Sequence, residues 1–230
     1  MDNRKILIAP SILGADPLNI ASCVESLENN FDWLHLDIMD GHFVKNISFG
    51  PSVAKAMRAR WPEAFIDAHL MIDCLDIMLP EFINAKPDLI TLHAEVETQL
   101  LHARLMQIKK AGIKAGVSIG PVTSLEVVKP VLNLADLVLI MSVTPGFGGQ
   151  SFIESTLDKT RELVSLRAAL KYNYLIQMDG GIKAENALKV VQAGCDVIVM
   201  GSAVFNAQAS SSARSAAEYL KDLRLKLNKI

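Results

Sequence analysis

The chain has 230 residues, half of them hydrophobic and 21% charged, with a formal net charge of −2; this suits one globular domain and excludes a disordered or fibrous protein. No broad basic surface is available to hold nucleic acid by its phosphates. The opening MDNRKILIAPSIL carries only a short apolar stretch broken by Pro10, too little for a secretion signal or a membrane span, so cytoplasmic residence is expected.

In chain order, short apolar runs predict strands at Ile6 to Ala9, Trp33 to Ile38, Phe65 to Met71, Leu89 to His93, Ala115 to Ile119, Leu137 to Met141, Tyr174 to Met178 and Val197 to Met200. Stretches with helical spacing lie between them, such as Leu100, Leu101, Leu105 and Ile108 in LLHARLMQIKK and Ala187, Val190 and Val191 in AENALKVVQAG. Helix starts are marked at Gly50-Pro51, at Thr123 before SLEVV and at Lys183-Ala184-Glu185. Helix ends are marked by Gly112 and Gly194, each placed where a left-handed residue closes a helix. Eight strand-helix units without a long linker predict an α/β fold, a (β/α)8 TIM barrel forming a single domain over residues 1–230; an open doubly wound sheet is the alternative. Cys23, Cys74 and Cys195 are odd in number and far apart and form no C-x-x-C, which predicts reduced, buried thiols.

Barrel enzymes build their sites at the C-terminal ends of the strands. Polar residues interrupt the apolar runs there: Ser11 after the first strand, His35 and Asp37 on the second, His69 on the third, His93 ending the fourth and Asp179 after the seventh. Residues i and i+2 share a strand face, so His35 and Asp37 point the same way. Taken singly, each could be a satisfied core histidine or a strand-capping aspartate. Converging from three strands, two carboxylates and two imidazoles without a counter-charge are costly to bury, and a divalent cation resolves the conflict. Mixed nitrogen and oxygen ligands suit zinc, iron(II), manganese or cobalt alike.

A second set is glycine-rich: Pro145-Gly146-Phe147-Gly148-Gly149-Gln150 after the sixth strand, Gly180-Gly181 after the seventh and Gly201-Ser202 after the eighth. Neighbouring turns of this kind let backbone N–H groups close on a phosphate. Together, metal, carboxylates and phosphate cradle point to proton abstraction beside a carbonyl of a small phosphorylated substrate, with one aspartate on each face of the carbon. That is epimerisation.

The runs APSIL (Ala9 to Leu13), HLDIMDGHFV (His35 to Val44), HLM (His69 to Met71), MSV-x-PGFGGQSF (Met141 to Phe152), DGGI (Asp179 to Ile182) and GSAVF (Gly201 to Phe205) closely resemble those of the ribulose-phosphate 3-epimerases. The resemblance implies a (β/α)8 barrel and metal-dependent interconversion of D-ribulose 5-phosphate and D-xylulose 5-phosphate in the pentose phosphate pathway. It implies His35, Asp37, His69 and Asp179 as ligands, with Asp37 and Asp179 as the proton-transferring pair. Ser11 and His69 would touch the sugar, and Gly146, Phe147, Gly148, Gly149, Gly180, Gly181, Gly201 and Ser202 would hold the phosphate end. Met39, Met71 and Met141 would wall the metal from water, although by spacing alone they read as core. A homo-oligomer is also implied.

The chain departs from the family's usual residues at Lys45, where proline follows HFV, and at Gln177, where a glutamate usually stands two before the strand-seven aspartate. Gly14, Gly120 and Thr144 differ as well. Lys45 and Gln177 are therefore candidate specificity positions, and they motivate a hexulose 6-phosphate such as D-allulose 6-phosphate as the rival substrate. A non-catalytic sugar-phosphate-binding barrel is the rival of another class. A metal-free decarboxylase is disfavoured, because Asp67-Ala68-His69 lacks the lysine of an Asp-x-Lys-x-x-Asp pattern. His42 and His102 read as solvent-facing, Asp40-Gly41-His42 as a turn, and His93 as either a neighbour of the ligands or plain structure.

Overall fold

The computed structural model describes residues 5–206 and 215–228. Its strands are β1 (Leu7–Pro10), β2 (Trp33–Met39), β3 (Phe65–Met71), β4 (Leu89–His93), β5 (Lys114–Ile119), β6 (Leu137–Met141), β7 (Leu175–Asp179) and β8 (Val197–Met200). All eight are parallel in the order β1-β8-β7-β6-β5-β4-β3-β2. A parallel bridge between Ser11 and His35 closes β1 onto β2. Around this barrel lie α1 (Ile20–Glu25), α2 (Pro51–Arg60), α3 (Leu75–Ala85), α4 (Leu101–Lys110), α5 (Thr156–Leu170), α6 (Ala187–Gln192), α7 (Ser202–Phe205) and α8 (Ala216–Leu227). No helix among the described residues is long and apolar enough to cross a membrane.

Strand alternation sorts the core into two bodies. Leu34, Leu36 and Ile38 of β2 and Ile66, Ala68 and Leu70 of β3 belong to the large outer layer, with Met57 of α2 and Leu79 and Phe82 of α3. The other strand face supplies Trp33, Leu89, Leu137, Leu139, Val197 and Val199 to the barrel interior, where Trp33 stacks on Phe65 with ring centroids 4.3 Å apart. Farther along the same strands this face turns polar, with His35, Asp37, Asp67, His69, His93 and Gln177 all buried.

Gly112 and Gly194 do follow α4 and α6 with positive φ, at 78° and 107°. Three expectations need correction. Thr123 starts no α-helix: Ser124 caps a 3-10 turn over Leu125–Val127 and a second turn spans Lys129–Val131, because Pro130 has no N–H to carry a helix onward. α6 begins two residues beyond the predicted Lys183-Ala184-Glu185 signal, at Ala187 behind Asn186. Of the three cysteines only Cys195 is buried; Cys23 is intermediate and Cys74 exposed.

At the opposite end of the barrel a device recurs four times. An aspartate lies just before each even-numbered strand, and its carboxylate accepts the N–H of a residue in the preceding strand: Asp32 from Ile8 (2.9 Å), Asp88 from Ile66 (2.7 Å), Asp136 from Ala115 (2.8 Å) and Asp196 from Ile176 (2.7 Å). Each is clamped by a cation from a helix that lies after the previous even strand in the ring. Arg58 of α2 holds Asp88, Lys109 of α4 holds Asp136, Arg167 of α5 holds Asp196, and Arg224 of α8 holds Asp32.

Candidate active site

The strand register delivers the predicted polar residues to one place. Asp37 of β2 lies beside His69 of β3 in the ladder, and Asp179 ends β7. Ligand atoms of His35, Asp37, His69 and Asp179 all lie within 4.8 Å of one another. Asp37 Oδ1 is 3.3 Å from His35 Nε2 and 3.1 Å from His69 Nδ1, and its Oδ2 accepts the Ser11 hydroxyl at 2.5 Å. Ser48 pins the backbone here, its hydroxyl donating to the Asp37 carbonyl oxygen at 2.5 Å. On the other side, the Ser142 hydroxyl donates to the carbonyl oxygens of Asp179 and Gly180.

Asp67 and Glu95, which the sequence did not single out for the site, and His93, which it did, bear on which nitrogen each ring presents. His35 Nδ1 is 2.7 Å from Asp67 Oδ2, an acceptor, so Nδ1 carries a proton, and when the ring is neutral Nε2 is the nitrogen that offers a lone pair. That Nε2 is buried and without a hydrogen-bond partner. On His69, Nε2 is 2.9 Å from His93 Nε2, and His93 Nδ1 is 3.1 Å from Glu95 Oε2. With Glu95 accepting from His93, and His93 accepting from His69 Nε2, the neutral His69 ring would offer its Nδ1 lone pair to a cation; without one, Nδ1 can instead donate to Asp37 Oδ1. His93 is thus a neighbour of the cluster. Gln177, predicted to act on Asp179 from their shared face, instead donates to Asp67 Oδ2 at 2.7 Å. The sequence signal for Asp67 and Glu95 was an acid two residues from a strand histidine, the same spacing that marked His35 and Asp37.

Electrostatics separate the two aspartates. Burial opposes ionisation of Asp37, but His35 and His69 beside it overcome this and hold the carboxyl well below its usual range. Asp179 is pushed up to about 7 by burial and then by the charge of Asp37. Burial also opposes a charge on His35, yet the Asp67 and Asp37 carboxylates keep its pKa well above the usual value. His69 falls to about 4, chiefly through burial. Two carboxylates crowded so that one resists ionisation, a buried imidazole nitrogen without a partner, and an N2O2 donor set together fit a divalent cation. The tautomers set by Asp67 and by His93 with Glu95 fit it too.

Above the cluster opens a cavity of about 440 Å³ whose lining includes Ser11, Asp37, Asp179 and the three methionines Met39, Met71 and Met141. Its outer wall is the glycine set: Gly146, Phe147, Gly148 and Gly149, then Gly180 and Gly181, then Gly201 and Ser202. Gly181 has φ +63°, and a Cβ there would meet Phe152 N at 2.7 Å, so glycine lets the β7 turn lie directly on the β6 loop. Gly14 plays the same part on the other flank, where a Cβ would lie 2.6 Å from the carbonyl carbon of Gly201. Asn46, not singled out from sequence, lines the cavity and donates to the Gly146 carbonyl oxygen at 2.7 Å, tying the β2 loop to the β6 loop. Lys45 beside it is exposed and does not line the cavity. His35 and His69 are wholly buried beneath the lining, so the contact with sugar expected of His69 is not open from the cavity. His42 and His102 are exposed, and Asp40 shapes the turn by accepting the N–H groups of His42 and Phe43.

Residues 7–205 match the profile of the Ribulose-phosphate 3 epimerase family. The chain is 44% identical to the chloroplastic ribulose-5-phosphate-3-epimerase of Arabidopsis thaliana, over 88% of this chain and 73% of that protein. It is 40% identical to the ribulose-phosphate 3-epimerase of Escherichia coli K12, over 88% and 90% of the two chains. Among solved structures it resembles a 3-hexulose-6-phosphate synthase (TM-score 0.67, 17% identity, 96% of this chain and 99% of that one). It also resembles the tryptophan synthase α-subunit of Pyrococcus furiosus (TM-score 0.69, 16% identity, 99% of each). At such identities these two structures speak for the barrel fold alone.

Proposed function

We infer the activity from the family to which this chain belongs, the ribulose-phosphate 3-epimerases: it epimerises D-ribulose 5-phosphate at C3, giving D-xylulose 5-phosphate. The observation that carries the mechanism is the pair of aspartates that converge on the cavity from β2 and β7, their carboxyl oxygens within 4.8 Å of one another. Asp37 takes the C3 proton on one face, and Asp179 delivers a proton to the opposite face of the resulting enediolate. In the reverse direction the two exchange roles. Two carboxyl groups facing one cavity, each able to take or give a proton, are what a two-base inversion requires. Ser11, donating to Asp37 Oδ2, aims the other carboxylate oxygen, and the methionines keep water from the reacting carbon.

His35, Asp37, His69 and Asp179 would hold a divalent metal ion, for which zinc, iron(II), manganese and cobalt all suit the donor set. When bound, such an ion stabilises the negative charge that develops on the substrate oxygens as the proton leaves. Gly146, Phe147, Gly148, Gly149, Gly180, Gly181, Gly201 and Ser202 form the phosphate end, supported by the backbone-on-backbone packing at Gly181. The two departures that motivated a hexulose 6-phosphate lie away from the cavity, Lys45 on the surface and Gln177 against Asp67, which supports the five-carbon sugar. We extend the reading to one catalytic domain over residues 1–230, acting in the cytoplasm on pentose phosphates, and to a homo-oligomer, to be tested by sedimentation.

The test is exchange of the C3 proton with deuterated solvent, run beside turnover on D-ribulose 5-phosphate and D-allulose 6-phosphate. Asp37→Asn and Asp179→Asn are each expected to lower exchange by about a thousandfold or more while inorganic phosphate still binds. Unchanged exchange in both variants refutes the two-base mechanism. Preference for the six-carbon sugar overturns the substrate assignment, and a wild-type protein that binds phosphate but turns over neither sugar is the non-catalytic barrel.

A further inference from the structure

We propose that Lys183 supplies the positive charge that recognises the substrate's phosphate dianion, a reading that rests on the phosphate end assigned above. Among the described residues lining the cavity, Lys183 is the sole lysine or arginine. The deep end carries Asp37 and Asp179, and the outer wall is built of glycine turns and Ser202, whose backbone dipoles carry no net charge. A dianion at the outer wall therefore meets only the partial charges of the turns around it. One full positive charge stands at the rim to pair with it.

The backbone that presents this lysine is held from three directions. Its own N–H donates to Asn186 Oδ1 at 2.7 Å, and Asn186 Nδ2 donates to the carbonyl oxygen of Gly181 at 3.0 Å. The next N–H, of Ala184, donates to the Tyr219 hydroxyl of α8 at 3.0 Å. The ammonium itself is uncommitted: Lys183 is exposed and forms no ion pair or side-chain hydrogen bond with a described residue. Nearby lysines are spent differently. Lys189 of α6 pairs with Glu154 at 2.8 Å, and Lys159 of α5 donates to the carbonyl oxygens of Gly120 and Thr123. An anchored loop carrying a free point charge beside Gly180 and Gly181 loses little order when a phosphate arrives, which is the economical arrangement for binding.

The experiment measures inorganic phosphate binding to the metal-free protein by calorimetry, together with KM and kcat on D-ribulose 5-phosphate. It compares wild type, Lys183→Gln and Lys183→Arg, with Lys114→Gln as a control for net charge at the far end of the barrel. Lys183→Gln is expected to weaken phosphate binding and raise KM by about fivefold each, with kcat moving much less, and Lys183→Arg to recover most of the loss. The KM of the glutamine variant should also depend less on salt. Equal phosphate affinity in wild type and Lys183→Gln, or an equal loss in Lys114→Gln, overturns the proposal. Because phosphate binding is read without turnover, a wild-type protein that fails to epimerise, yet loses phosphate on Lys183→Gln, would sink the activity and leave the lysine's role standing.

Discussion

His35 shows how a single buried ring is prepared by what touches its far side. With Nδ1 committed to Asp67, the neutral ring has one tautomer, with its lone pair on Nε2, and Gln177 in turn holds the acid. Asp67→Asn is therefore expected to weaken divalent-metal binding by about tenfold, measured by competition with a chelator on purified apoprotein. Asp179 sets a pH window. Its pKa in the folded apoprotein, about 7, is above the ordinary 3.8, so between these values the folded state holds a proton that the unfolded chain has released. Below about 6.5 the depressed His69, at about 4, works in the opposite direction, so apoprotein stability should fall chiefly as pH rises from about 6.5 through 7, where Asp179 and the raised His35 act together. Metal affinity should climb, by about tenfold per pH unit for each proton displaced, which metal titration at a series of pH values will show. The ligands themselves were legible because period-two alternation makes His35 and Asp37 conspicuous in an apolar strand. Their supports were not, because Asp67 finds Gln177 110 residues away, and no local pattern announces a partner at that distance.

At the scale of elements, the strands were the most legible, since a fully buried parallel strand reads as an unbroken apolar run. The segment after β5 was misread for a physical reason: SLEVVKPVL has helical spacing, but Pro130 interrupts the hydrogen-bond ladder and the chain settles for two short 3-10 turns. The fourfold aspartate device was present in the sequence as an acid directly before Trp33, Leu89, Leu137 and Val197, yet helices also start with acids, and only the fold shows these four at strand entrances. Asp196 is the most enclosed of them, 2% exposed and ion-paired with Arg167 at 2.6 Å. Asp196→Ala removes the acid paired with Arg167 and strands the Ile176 N–H, and should cost about 3 kcal/mol of stability, read as a lowered urea midpoint. Gly14→Ala should push the β8 turn outward and raise KM by about tenfold with little change in unfolding, as steady-state kinetics beside a melting curve will test.

For the whole molecule, the proposal of one domain predicts one unfolding transition, with tryptophan fluorescence from Trp33 and Trp61 coinciding with far-ultraviolet circular dichroism. Metal at about a hundred times its dissociation constant should stabilise the fold by about 2.7 kcal/mol. The aspartate clamps carry a consequence for connectivity. Arg224 reaches Asp32 and also donates to the Ile6 carbonyl oxygen at 3.3 Å, so the last described helix is fastened to the first strand just as each earlier quarter is fastened to the next. The clamps make a closed ring in which no link is first. A circularly permuted chain, opened between α2 and β3 and joined across the old ends, keeps all four clamps and every ligand, and it should fold and bind metal like its parent; the order in which the quarters are strung is incidental to the barrel they make.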